Sequence, residues 1–264
     1  MGIADRCNVH ELGRNDGQPL LFAHGFGCDQ QMWRHVVPRF EDRFRIVLFD
    51  HVGAGGSDLS AYDPERYATL DGYAEDVLAI CDELALEDAI FVGHSVAAML
   101  GVIAAIREPG RFAKLVFVGP SPRYIDDADY VGGFSEADIA ELLDALESNY
   151  LGWSRAMAPV IMGTPDRPDL TEDLTESFCR TDPEIARRFA RATFLADNRA
   201  DLLRVAVPTL VIQTAQDAIA PVAVGEYVRD ALPDSTFVLL DTTGHCPHLS
   251  APDATAEAIE AFIG

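Results

Sequence analysis

The feature that most constrains this chain is an alternation. Short apolar runs recur between segments with helical periodicity. Leu20–Ala23, Arg45–Phe49, Ala89–Val92, Lys114–Val118, Thr209–Thr214 and Thr236–Leu240 are rich in β-branched, aliphatic or aromatic residues and are bounded by Gly, Pro or Asp. Runs that are apolar at nearly every position predict strands buried on both faces. Helical patterns cover roughly Leu70–Leu84, Ser95–Ile106, Val222–Ala231 and Asp253–Ile263. Strand and helix in alternation predict an α/β fold: a mostly parallel sheet with helices on both faces.

Residues 120–200 break the rhythm, with helical patterns and no strands between them. Ser135 with Asp138 forms a capping pair that opens a helix over Ala137–Tyr150. Asp182 followed by Pro183 opens another over Ile185–Leu195. The simplest arrangement is a core built from 1–119 and 201–264 with 120–200 inserted as a helical lid over one sheet edge. A hydrophobic fraction of 48% supplies a core of that size. Of the lid's large apolar residues, Tyr124, Phe178 and Phe189 among them, most must pack its helices together, and a minority can line a pocket.

The stretch "VGHSVAAML", 92–100, carries the chemistry. It matches the G-x-S-x-G nucleophile elbow at Gly93 and Ser95 but has Ala97 in place of the second glycine. The elbow needs a strand before the serine and a helix after it, and both are predicted here. Its neighbours must be small because strand and helix pass close together, so Ala97 alters packing without removing the turn. A serine hydroxyl needs an adjacent base oriented by a carboxylate. In this architecture the order is Ser, acid, His. His245, in the TTGH loop after the last strand, is the candidate base, and Gly244 lets the backbone turn. His248 is its rival, expected to pack or hydrogen-bond at the surface. Asp217 follows the strand Thr209–Thr214 and is the candidate acid; the alternative position, Gly119-Pro120-Ser121, has no carboxylate. The N–H groups of Val96 and of Phe26, in the loop "HGFG" at 24–27, are the candidate oxyanion donors.

Other chemistries fit less well. "DHVGAGGSD", 50–58, lacks the P-loop lysine and the dinucleotide spacing, and reads as a flexible loop beyond a strand. "HCPH", 245–248, offers metal-type ligands without a second pair elsewhere, and its proline constrains the run, so no metal is expected. Cys28 and Cys246 lie near the site and, without a separate base, read as neutral lining or core. No cofactor is called for.

The segments "HGFGCDQQMW", "GHSVAAM", "GPSPRYIDDADYVGGF", "NYLGWSRAMAP", "TDPEIARRFARATFLADNRADL", "VPTLVIQTAQDAIAP" and "GHCPHLSAP" resemble the α/β-hydrolase family that includes the bacterial stress-response regulator RsbQ and the plant karrikin and strigolactone receptors. Several of them lie in the lid, which makes the resemblance specific to that subgroup. It implies an α/β-hydrolase core with a four-helix, V-shaped lid. It also implies the triad Ser95, Asp217 and His245 with the donors Phe26 and Val96. Pocket positions implied by it are Phe134, Leu142, Trp153, Met157, Thr193, Phe194 and Ile219. Plant members often lack the second motif glycine as well. Met157 departs from the phenylalanine common in the plant receptors.

Two functions follow as expectations. One is a serine hydrolase that cleaves a small hydrophobic ester, enol ether or lactone. The other is a ligand-sensing receptor with slow or incidental hydrolysis that recruits a signalling protein through its lid. The net charge of −23 repels phosphate backbones and anionic lipid, so no nucleic-acid or membrane partner is expected. No basic and apolar leader is seen, Arg6 breaks the myristoylation pattern, and the longest apolar run, Val96 to Ile106, is too short for a bilayer. Five scattered cysteines suit a reducing compartment, so a cytoplasmic monomer is the expectation.

Overall fold

The computed structural model describes residues 2–264; the first position of the predicted core, residue 1, lies outside the described residues. Seven strands, β1 (His10–Gly13), β2 (Gln18–Ala23), β3 (Phe44–Leu48), β4 (Ala89–His94), β5 (Phe112–Val118), β6 (Thr209–Gln216) and β7 (Ser235–Thr243), form one sheet in the order β1-β3-β2-β4-β5-β6-β7. β1 runs antiparallel to β3, and every other pairing is parallel. All six strands expected from the sequence are present. β1 is additional: its four residues are all exposed, so it carries no apolar run to betray it.

Side chains alternate between two buried faces, as the pleat requires. Leu21, Val47, Phe91, Phe117 and Val211 point to one core. That core is completed by α1 (Leu70–Glu83), α2 (Val96–Arg107) and Val228 of α7 (Val222–Ala231). Leu20, Ile46, Ile90, Val116 and Ile212 point to the other, against Trp33, Phe40 and Ile259 of α8 (Pro252–Ile263). Burying a side chain of this size contributes roughly 1.5–3 kcal/mol. Having both faces covered is the reason the runs of the inner strands are apolar throughout.

Between β5 and β6 lie four long helices without a strand, α3 (Glu136–Ser148), α4 (Tyr150–Met162), α5 (Pro168–Arg180) and α6 (Pro183–Phe194), followed by the one-turn helix Arg199–Leu202. Ser135 and Asp138 form the expected capping box. The first of these helices stops at Ser148 rather than Tyr150. Asn149 leaves helical geometry at φ −154°, and its side chain accepts from the Gly152 N–H to open α4. Asp182 accepts from the N–H groups of Glu184 and Ile185 to open α6. The apolar faces of this insert form a third cluster with Cys28, Met32, Ile219, Cys246 and Leu249 of the sheet's loops. The insert therefore roofs the carboxyl ends of the strands, where open α/β sheets place their sites. No helix of the described residues is long and apolar enough to cross a membrane.

Candidate active site

β4 ends at His94 and α2 begins at Val96, so Ser95 alone makes the turn, at φ 56° and ψ −123°. A non-glycine residue there is strained, and the neighbours must hold it in place. The Ser95 N–H donates to the Val118 carbonyl at 2.9 Å. A Cβ on Gly93 would lie 2.7 Å from the Ala97 carbonyl group and 2.8 Å from the Ala98 nitrogen. The close approach of strand and helix thus falls on Gly93, and the methyl of Ala97 is buried without breaking the turn.

His245 Nε2 lies 2.8 Å from Ser95 Oγ, and His245 Nδ1 lies 2.7 Å from Asp217 Oδ2. A carboxylate only accepts, so Nδ1 carries the proton and Nε2 presents its lone pair to the serine. The other oxygen of Asp217 accepts from the N–H groups of Ile219, at 2.7 Å, and Ala220, at 3.1 Å. Burial pushes the Asp217 carboxyl up. The facing His245 and the backbone donors more than offset this and hold it below its ordinary value.

The His245 backbone is gripped from several sides. Gly244 sits at φ +96°, and a side chain there would strike the Met162 carbonyl of α4. The His245 N–H donates to Ile161 of the same helix at 2.8 Å, and its carbonyl lies 2.9 Å from His94 Nε2. Thr214 Oγ1 donates to the Gly244 carbonyl at 2.9 Å.

Val96 opens α2, so its N–H has no carbonyl one turn earlier to bond. The Phe26 N–H has no acceptor among the described residues. The Phe26 ring packs against Trp153, Phe178, Phe189 and Phe194 with centroids 5.7–6.1 Å apart.

Ser95, His245 and Phe26 open onto a narrow cavity between insert and sheet, tightly filled by its walls, with a volume of about 30 Å³. Six of the seven pocket residues named from sequence line it: Leu142, Trp153, Met157, Thr193, Phe194 and Ile219. Phe134 does not. It bridges Ile125, and its N–H donates to the Tyr124 carbonyl, so that turn packs Phe134 against the cluster and brings Tyr124 to the cavity instead. Sequence reasoning missed Tyr124, whose hydroxyl lies 3.4 Å from Ser95 Oγ. Burial pushes that phenol up to about 12, so it stays protonated. Phe178 and Leu174 of α5 and Ile161 of α4 were missed too, because apolar residues in an amphipathic helix give no sign of which will face a cavity. Cys28 and Cys246 do line the wall, and burial raises both thiols, Cys28 further raised by Cys246 and Cys246 by Asp217, so both are neutral.

Two other expectations change. The loop after β3 is pinned rather than flexible: Asp50 accepts from the N–H groups of Gln30 and Gly56 and from the Asn8 side chain, each at 2.8 Å. His248 is fully buried, not at the surface, because the one-turn helix Pro247–Ser250 folds it inward against Trp33 and His94.

An elbow serine, a base from the loop after the last strand and an acid from the loop after β6 are joined here on a roofed parallel sheet. The model for the alpha/beta hydrolase fold matches residues 18–252. The chain belongs to the α/β-hydrolase family. This hydrolase is 42% identical over 255 residues to the karrikin insensitive 2 receptor CA of Petunia hybrida, covering 96% of this chain and 94% of that one. It is also 42% identical over 256 residues to the strigolactone esterase D14 of Arabidopsis thaliana, covering 97% and 95%. Among solved structures, a hydrolase from Oleispira antarctica is similar at 38% identity and a TM-score of 0.96, covering 99% of this chain and 96% of that one.

Proposed function

We propose that the protein is a serine hydrolase of small, mostly apolar esters, enol ethers or lactones, with residues 120–200 as a lid over its cavity. The observation that carries this reading is the unbroken Ser95–His245–Asp217 relay, at 2.8 and 2.7 Å, opening onto an apolar cavity. Ser95 Oγ attacks the acyl carbon while His245 Nε2 takes its proton. The tetrahedral oxyanion faces the N–H groups of Phe26 and Val96. Collapse expels the alcohol or enol, protonated by His245. Water, activated by the same imidazole, then attacks the acyl-enzyme and releases the acid and Ser95. The wall sets the substrate class. Aromatic and aliphatic side chains cover most of it, and the Tyr124 hydroxyl and the buried, unpartnered Thr193 Oγ1 supply its polar points. Esterase and receptor names among relatives at 42% identity support a small ligand. The experiment is turnover of a chromogenic short-chain ester. Ser95→Ala abolishes it with an unchanged circular dichroism spectrum, and a mutant as fast as the wild type overturns the assignment.

A second role rests on a specific contact. Because the His245 N–H is held by the Ile161 carbonyl, movement of the base displaces α4. This supports a lid that rearranges on ligand turnover and recruits a protein partner. Limited proteolysis with and without a hydrolysed ester tests it, and a cleavage pattern indifferent to every substrate counts against it. Five cysteines free of disulfides support work in a reducing compartment. We take the protein as a monomer, which size-exclusion chromatography with light scattering checks.

A further inference from the structure

Three ligand-type side chains lie together beside the triad. His94 immediately precedes the nucleophile; Cys246 and His248 follow the base. One ligand atom from each lies within 4.8 Å of the other two. All three residues are buried, at 2%, 1% and 0% exposure. Their nitrogens are not satisfied by the protein. His94 uses Nε2 on the His245 carbonyl, and its Nδ1 has no partner among the described residues. Neither nitrogen of His248 has one, although the ring is clamped between Trp33 and His94, with centroids 4.6 and 4.4 Å away. A buried polar atom without a partner destabilises the fold, so these imidazole nitrogens, clustered with a thiol, call for an occupant.

The donor set selects that occupant. Two imidazoles and a thiol with no carboxylate are a poor site for calcium or magnesium, which take oxygen ligands. They suit a borderline-soft ion that takes nitrogen and sulfur. We propose that His94, Cys246 and His248 bind a zinc-class divalent cation beside the triad. Two metal–nitrogen bonds and one metal–sulfur bond form, the thiol proton leaves to solvent, and the fourth position takes water. Bonds of about 2.0 Å to nitrogen and 2.3 Å to sulfur put tetrahedral ligand atoms roughly 3.3–3.5 Å apart, so the separations within the cluster close by about 1.5 Å at most. Cys246 is also part of the cavity wall, which gives the ion a way in. An ion here ties the residue before the nucleophile to the residue after the base.

The test uses the full chain, freed of metal by a chelator, with cobalt(II) chloride as the probe. One equivalent is expected to produce a thiolate-to-cobalt absorption in the near ultraviolet together with the visible bands of four-coordinate cobalt. Zinc chloride should displace both. Cys246→Ser should lose the near-ultraviolet band, and His248→Phe should weaken binding at least tenfold. A measurement that needs no variant is X-ray absorption at the zinc edge of the loaded wild-type protein, expected to show one sulfur and two imidazole nitrogens. A cobalt spectrum without a thiolate band, a band that persists in Cys246→Ser, or a zinc shell of oxygen alone overturns the site. Water bridging the two imidazoles would then be its occupant.

Discussion

The floor and the roof of the cavity are built on different physical terms. The floor is the β4–Ser95–α2 elbow on a sheet buried on both faces, where the Ser95 backbone is held at φ 56° and a Cβ on Gly93 would come within 2.7 Å of the facing backbone. The roof is four helices that meet the core through a cluster of large apolar side chains. Close packing of backbone on backbone has no slack, whereas a cluster of long side chains can repack around a change of shape. We therefore take the floor to govern stability and the chemical step, and the roof to govern which ligand fits.

The largest effect belongs to the relay. Asp217→Asn keeps the shape but lets the imidazole take the wrong tautomer, and kcat for a chromogenic ester should fall by about 10⁴-fold with little change in KM. Steady-state kinetics beside circular dichroism measures it, and a loss below tenfold would remove Asp217 from the mechanism. Next is Gly93→Val. Its branched side chain must displace the Ala97 and Ala98 backbone, and chemical denaturation should show a loss of about 3 kcal/mol or more. Ala97→Gly, on the helix side of the same turn, should cost no more than about 1 kcal/mol.

The third prediction uses the fact that all seven histidines lie outside residues 120–200, so any histidine-driven acid sensitivity belongs to the floor. Burial, aided by neighbouring His24, holds the His51 imidazole well below its ordinary 6.5. The unfolded chain thus takes up a proton that the folded chain refuses. The stability His51 contributes is complete above pH 6.5 and is lost as pH falls below it. The limiting slope is one proton, about 1.4 kcal/mol per pH unit. Urea midpoints between pH 7.5 and 5 should fall less steeply in His51→Gln than in the wild type, and parallel curves would contradict the assignment. The smallest effect lies in the roof. Met157→Phe should shift KM among ester homologues by less than about tenfold, with kcat and melting temperature nearly unchanged.

The same division explains what could be read from the chain alone. Strands β2 to β6 were legible because both faces are largely buried, β7 through its apolar run although only Leu240 of it is buried, and the elbow because only Gly93 fits its tight side. β1 was not, since its four residues are all exposed and its pairing with β3 comes from the backbone. The triad was legible through chain order, because each member follows a recognisable strand. Roof positions came from family resemblance; Trp153, Met157 and Phe194 line the cavity and Phe134 does not. The bridge from Ile125 to Phe134 depends on backbone pairing that no local pattern announces. His248 reads as a polar residue after a proline, and nothing in the sequence tells that a one-turn helix folds it into the core beside His94.

The central claim is that strain, base and acid together make one hydroxyl of this protein reactive. Intact mass spectrometry after brief exposure to a fluorophosphonate, followed by peptide mapping, asks this directly. A single adduct on Ser95, absent in Ser95→Ala and slow to form in Asp217→Asn, is the predicted result. No adduct on the folded wild-type protein, or one carried by another residue such as Cys246, would contradict the account.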